Sequence, residues 1–120
     1  NKARAVPTGV LGPDSLVVSP RGIWVAANSG DVVVRLNPPT LKVVAKIKVG
    51  FHPGNPAIAA DGTVFVPVVG EGRVVRIDPA RNRVIGTWYV GKNPFPAAFA
   101  FGDIWVPVSG GTSLVRFHVA

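Results

Sequence analysis

The chain of 120 residues has no cysteine, no methionine, one tyrosine and two histidines, and its 6 acidic residues stand against 13 lysines and arginines. Lack of cysteine excludes a disulfide framework, thiolate metal sites and a cysteine nucleophile. It fits an extracytoplasmic or secreted protein. Without methionine even at position 1, the chain is expected to be a processed, excised or truncated product. No apolar run approaches the roughly 18 residues of a spanning helix, so no membrane span is expected. Helical periodicity is missing throughout.

Acid is too scarce for paired-carboxylate chemistry. Asp61 and Asp78 precede Gly and Pro in turns, where a carboxylate caps the backbone. Asp14, Asp31, Glu71 and Asp103 form no spaced calcium-binding set. His52 and His118 stand alone, and no serine occupies a Gly-x-Ser-x-Gly elbow. Gly110-Gly111 lacks the following helix and Lys-Ser/Thr pair of a phosphate loop. No catalytic set, metal or cofactor is therefore expected.

What is present is strand-like and periodic. Nearly half of the residues, 48%, are apolar, which suits a folded domain and not a disordered one. Short runs rich in Val, Ile, Trp and Phe are bounded by Gly, Pro, Asn and Asp. Sliding the chain on itself pairs Trp24 with Phe65 and Phe65 with Trp105, and Arg35 with Arg76 and Arg76 with Arg116, at shifts of 41 and 40. Pro38 pairs with Pro79 and Gly50 with Gly91 at 41. A fixed period near 40 with strand content predicts all-β propeller blades of four antiparallel strands.

Strands are expected at 15–18, 23–27, 32–36 and 42–49, then at 56–60, 63–68, 73–77 and 83–90. The last unit supplies 97–100, 104–108 and 113–119. Residues 4–11, carrying Pro7 and Gly9, read as an orphan fourth strand at a sheet edge. The order becomes d, abcd, abcd, abc: three blades in one segment over 1–120, with repeats at 13–50, 51–91 and 92–120 plus 4–11. Rings usually hold four to eight blades. The ring is therefore expected to close by oligomerisation, with a six-bladed homodimer favoured and each N-terminal strand completing its partner's last blade. A fragment of a larger propeller, or a subunit of a different ring, is the alternative.

At Gly22-Ile-Trp-Val-Ala-Ala-Asn-Ser-Gly-Asp31, at Arg76-Ile-Asp-Pro-Ala-Arg-Asn-Arg-Val-Ile85 and at Lys46-Ile-Lys-Val-Gly50, the sequence resembles YVTN-type bacterial β-propeller repeats. The resemblance covers nearly the whole chain and implies the propeller fold. It leaves function open, because such repeats occur in surface proteins, sensor domains, DNA-binding propellers and a few enzymes. More loosely the chain resembles virginiamycin B lyase-like and NHL-like propellers. In the lyases His and acidic residues surround a metal. Here the second strands end in Ala26-Ala27-Asn28, Pro67-Val68-Val69 and Pro107-Val108-Ser109, without the acidic residue of that pattern. This departure argues against the lyase reaction.

Trp24, Phe65 and Trp105 are expected to fill the gaps between blades, with Leu36, Ile77 and Phe117 in the same layer. In a propeller the d-to-a and b-to-c loops share one face. Asn28, Asp31, Phe51, His52 and Asn55 would meet Glu71, Lys92, Asn93 and Phe95 there, a mixture suited to a protein or anionic ligand. Arg35, Arg76 and Arg116 recur at one position and would contact phosphates, pair with nearby carboxylates or lie along the blade surface. The expected function is a non-catalytic recognition or structural module that oligomerises and binds through its loop face. One alternative is a metal-assisted lyase or hydrolase drawing on His52 and Glu71. The other is a polyanion- or DNA-binding propeller driven by the net charge of +7.

Overall fold

The computed structural model describes residues 2–119; Asn1 and Ala120, the outer ends of the expected segment, lie outside it. Three antiparallel sheets follow one another along the chain. The first holds β1 (Pro13–Ser19), β2 (Gly22–Ala27), β3 (Val32–Leu36) and β4 (Val43–Lys48) in that spatial order. The second repeats it with β5 (Ala57–Ile58), β6 (Val64–Val68), β7 (Arg73–Asp78) and β8 (Arg83–Tyr89). The third has β9 (Ala98–Ala100), β10 (Asp103–Pro107) and β11 (Leu114–His118), with no fourth strand among the described residues. These are propeller blades, and the expected strands recur within a few residues of their places. β5 is the shortest, because Pro56 has no N–H for a ladder and the turn at Asp61-Gly62 follows closely.

One expected strand is absent. Residues 4–11 pair with no sheet; Pro7 offers no donor, and Gly9, at φ +73, leaves extended geometry. The segment instead lies on the outer face of the first sheet. Val10 packs against the cluster of Val25, Val34 and Leu36, and Lys46 Nζ donates to the Gly9 carbonyl at 3.1 Å.

Strand alternation decides which side chains meet between blades. On one face of the first sheet Trp24, Ala26, Val33 and Ile47 pack against Val64, Val66, Val75 and Ile77 of the second. Phe65 and Val74, on the opposite face of that sheet, pack against Ile104 and Val106 of the third. Trp24 and Phe65 retain 1% of their surface, and burial of each contributes about 3 kcal/mol. Two expected layer members differ. Leu36 follows Arg35 in a strand and so points the other way, into the outer cluster. Trp105 is only half-buried, because no further sheet covers its face.

Gly50 and Gly91 end the first two units for a steric reason. Their φ values are +122 and +118, and a Cβ at either would stand 2.9 Å from a valine methyl, of Val68 or Val108. The turn from β3 to β4 carries a different mark. Asn37 Oδ1 is buried without a partner, whereas the equivalent Asp78 Oδ1 accepts the Ala80 amide. Pro39 stands where Ala80 does and has no N–H to give.

Candidate functional site

The loops after β4 and β8 lie on the same face as the turns after β2, β6 and β10. Backbone bonds sew them together. Val49 N donates to the Asp31 carbonyl at 2.8 Å, and Val90 N to the Gly72 carbonyl at 2.8 Å. Each loop then crosses to the next blade: Val69 N donates to the His52 carbonyl at 2.8 Å and Ser109 N to the Asn93 carbonyl at 3.1 Å. His52 and Asn93 hold these crossings at φ +58 and +57, a left-handed conformation that Asn tolerates and that His adopts at some cost.

Several expected site residues converge at the first crossing. His52 Nδ1 lies 2.5 Å from the Asn28 carbonyl, to which it donates, and the His52 amide donates to Gly30 at 3.1 Å. The Phe51 ring lies against the imidazole, tilted by 39° with ring centres 3.7 Å apart, and the Phe51 amide donates to Glu71 Oε2 at 2.8 Å. Asn28 Nδ2 reaches the Pro53 carbonyl at 3.5 Å. Asn28, Phe51, His52 and Glu71 thus form one bracket between the first two blades. Asp31 stands apart with Lys48 at 3.5 Å. Asn55 projects into solvent while its carbonyl accepts the Ala97 amide. Phe95 lies against Gly54, where a Cβ would meet the ring at 2.7 Å. Lys92 and Asn93 line a shallow cavity of about 350 Å³ with Glu71 and Tyr89. Among the described residues no three His, Cys, Asp or Glu side chains gather as a metal site.

The recurrent arginines occupy a different surface and behave differently from one another. Arg35 lies over Trp24, 4.8 Å from the ring centre, and crosses to the second blade. Its Nη1 donates to the Pro79 carbonyl at 2.6 Å and to Asn82 Oδ1 at 2.7 Å, and Nη2 to the Arg21 carbonyl at 2.6 Å. Burial and the nearby Arg21 cation lower its pKa. Arg76 lies over Phe65 at 5.4 Å yet stays within its own blade, donating to Asp61 Oδ2 at 2.6 Å and Thr63 Oγ1 at 3.1 Å. Burial pushes the Asp61 carboxyl up, but bonds from Thr63 and Arg76 outweigh it and the net shift is downward. Arg116 lies over Trp105 at 5.9 Å with 61% of its side chain exposed, and Asp103 Oδ2 is 3.7 Å from its Nε.

One residue position sets these differences. Gly22 leaves room for Arg35, since a Cβ there would stand 2.9 Å from its Nε. The equivalent Thr63 and Asp103 present oxygens that draw Arg76 and Arg116 toward their own sheets.

Sequence reasoning missed a groove where the first strands of the blades converge. It has a volume of about 470 Å³ and is lined by Val17, Val18, Pro20, Ile58 and Phe99 among others. The available signal was the unbroken run Leu16-Val17-Val18, which departs from strict alternation.

No family model matches the chain, and no curated protein matches it. Solved structures do. Hydrazine synthase of Kuenenia stuttgartiensis superposes with a TM-score of 0.74 at 23% identity, over 97% of this chain and 38% of that one. Virginiamycin B lyase from Staphylococcus aureus gives 0.72 at 15% identity, over 90% and 41%. The WD40 repeats of RRP9 give 0.74 at 16% identity, over 97% and 41%. At such identities the likeness establishes the propeller fold, and the chain spans about two fifths of the length of these structures.

Proposed function

We propose that the chain is a non-catalytic recognition and structural module, built of YVTN-type propeller repeats, that associates with a second copy into a closed ring and meets a partner on its loop face. The observation that supports this most is that each terminal sheet has a face that no other sheet covers. Trp105 and Leu114 lie on one, and Leu16 and Ile23 on the other, while the equivalent faces inside the chain are buried. The loop face supplies the partner contact through the side chains not used in its brackets, chiefly Lys92, Tyr89 and Phe95. Extracytoplasmic placement is part of this proposal, since a chain without cysteine has no thiol for an oxidising compartment to mispair.

Native light scattering tests it. A mass equal to two chains is expected, and a single-chain mass at all concentrations would overturn ring formation. Metal analysis tests the non-catalytic part: a stoichiometric divalent ion that disappears in His52→Ala would replace this reading with a metal-assisted lyase or hydrolase.

A further inference from the structure

We propose that the groove beneath the N-terminal segment is the seat for the Trp105–Arg116 face of a second copy, and that residues 6–10 must leave the groove for that copy to dock. The inference rests on the ring-forming association above and specifies its surfaces. Ile23, Val25, Val34 and Leu36 stand one repeat before Val64, Val66, Val75 and Ile77, which bury themselves against the Trp24 face of the preceding blade. Ile104, Val106 and Phe117, one repeat later, do the same against the Phe65 face. The first sheet therefore carries the receiving half of a junction that the molecule makes twice within itself. The third sheet carries the inserting half, with Arg116 over Trp105 as Arg35 lies over Trp24.

The receiving half is covered by the unpaired N-terminal segment and by no sheet, and Val25, Val34 and Leu36 beneath it are buried. The cavity over it measures about 520 Å³ and is lined by Val6, Thr8, Leu16, Leu36 and Leu41 among others. The covering segment makes no strand pairing; it is held by Val10 against Val25, Val34 and Leu36 and by the exposed Lys46 contact to the Gly9 carbonyl. Such a hold is weak beside a full blade junction. The internal junction also tells where Arg116 arrives. Arg35 reaches Pro79 and Asn82 in the turn after β7; one repeat earlier, these are Pro38 and Leu41 in the turn after β3. Leu41 shares the left-handed conformation of Asn82, φ +58 against +52, and lines the groove. The Pro38 carbonyl accepts from the incoming guanidinium, and position 41 lies beside it.

A charge exchange on the full chain tests this geometry by light scattering and sedimentation. Arg116→Glu and Leu41→Arg, both at exposed positions, each weaken dimerisation at least tenfold, by removing the donor or by placing a cation in its path. The double variant restores it, because the introduced carboxylate then faces the introduced guanidinium across the junction. Leu41→Asn tightens the dimer about tenfold by supplying the oxygen that Asn82 gives Arg35. Val10→Asp frees the segment and shifts the balance toward dimer. Single variants that associate like the parent, or a double variant no better than either single, would overturn this seat while leaving ring formation standing. A parent chain that stays monomeric overturns both. The rescue separates a lost contact from a lost fold, since misfolded singles are not repaired by a second surface change.

Discussion

The two seams inside the molecule are built from equivalent positions and held by different means. Between the first and second blades the packing is aliphatic around Trp24, and one cation crosses, Arg35 to Pro79 and Asn82. Between the second and third, Phe65, Trp88 and Phe117 form a ring cluster with centres 5.2 to 6.2 Å apart, and Arg76 donates only within its own sheet. The repeat thus keeps the place of a contact without keeping its chemistry. A directional bond can be moved by one neighbouring residue, whereas an aromatic cluster depends on filled volume.

This contrast predicts a ranking. Phe65→Ala should have the largest effect, about 3 to 5 kcal/mol, because it opens a cavity beneath Trp88 and Phe117. Equilibrium denaturation measures it, and an unchanged midpoint would show that the ring is not packed. Arg35→Ala should cost about 1.5 to 3 kcal/mol, more than Arg76→Ala, since it removes charge-assisted bonds that join two blades. Arg35→Lys should recover little, lacking the fork that serves three oxygens. If Arg76→Ala cost more, the crossing bond would not be what holds the first seam.

Gly22→Thr should cost about 1 to 2 kcal/mol, as the added Cβ pushes Arg35 off Trp24 and offers it an oxygen at home. In a double-mutant cycle it should couple strongly to Arg35→Ala. Independent effects would break the link between position 22 and the arginine's direction.

The smallest effect is on acid stability. Asp61 is held below the ordinary carboxylate range in the folded chain, so it stabilises above about pH 4, where the unfolded carboxylate is charged. That contribution is lost as pH falls through the lower folded value. Asp61→Asn should flatten the decline of stability below about pH 4 and lower neutral-pH stability by the same small amount, the site being partly exposed. An equally steep acid decline in the variant would assign it to other carboxylates.

The blades were legible in the sequence because turns, alternation and the 41-residue shift all point to one register. What covers each blade was not. Periodicity makes Trp105 the equal of Trp24, but equality of position does not supply the neighbouring sheet that buries one and leaves the other half open. The segment 4–11 shows the same limit. Its composition permits an edge strand, yet tertiary contact with Val25 and Leu36 placed Val10 elsewhere. At the loop face Asn28, Phe51, His52 and Glu71 come together while Asp31 and Asn55 stand apart, and the backbone work of these residues was not readable. Nothing in the letters around His52 announces a left-handed backbone whose carbonyl joins two blades.

The turn at Asn37-Pro38-Pro39 gives the molecule distinguishable ends. Pro38 and Pro39 carry no N–H, and the Leu41 amide is turned inward to the Asn37 carbonyl at 2.7 Å. The backbone of this turn can accept but scarcely donate, while the opposite end presents a guanidinium that only donates. Two like ends brought together would set cation against cation or carbonyl against carbonyl. In the ring proposed above, mating would therefore be vectorial: the two ends differ as front and back, and the missing hydrogen on two prolines helps to tell them apart.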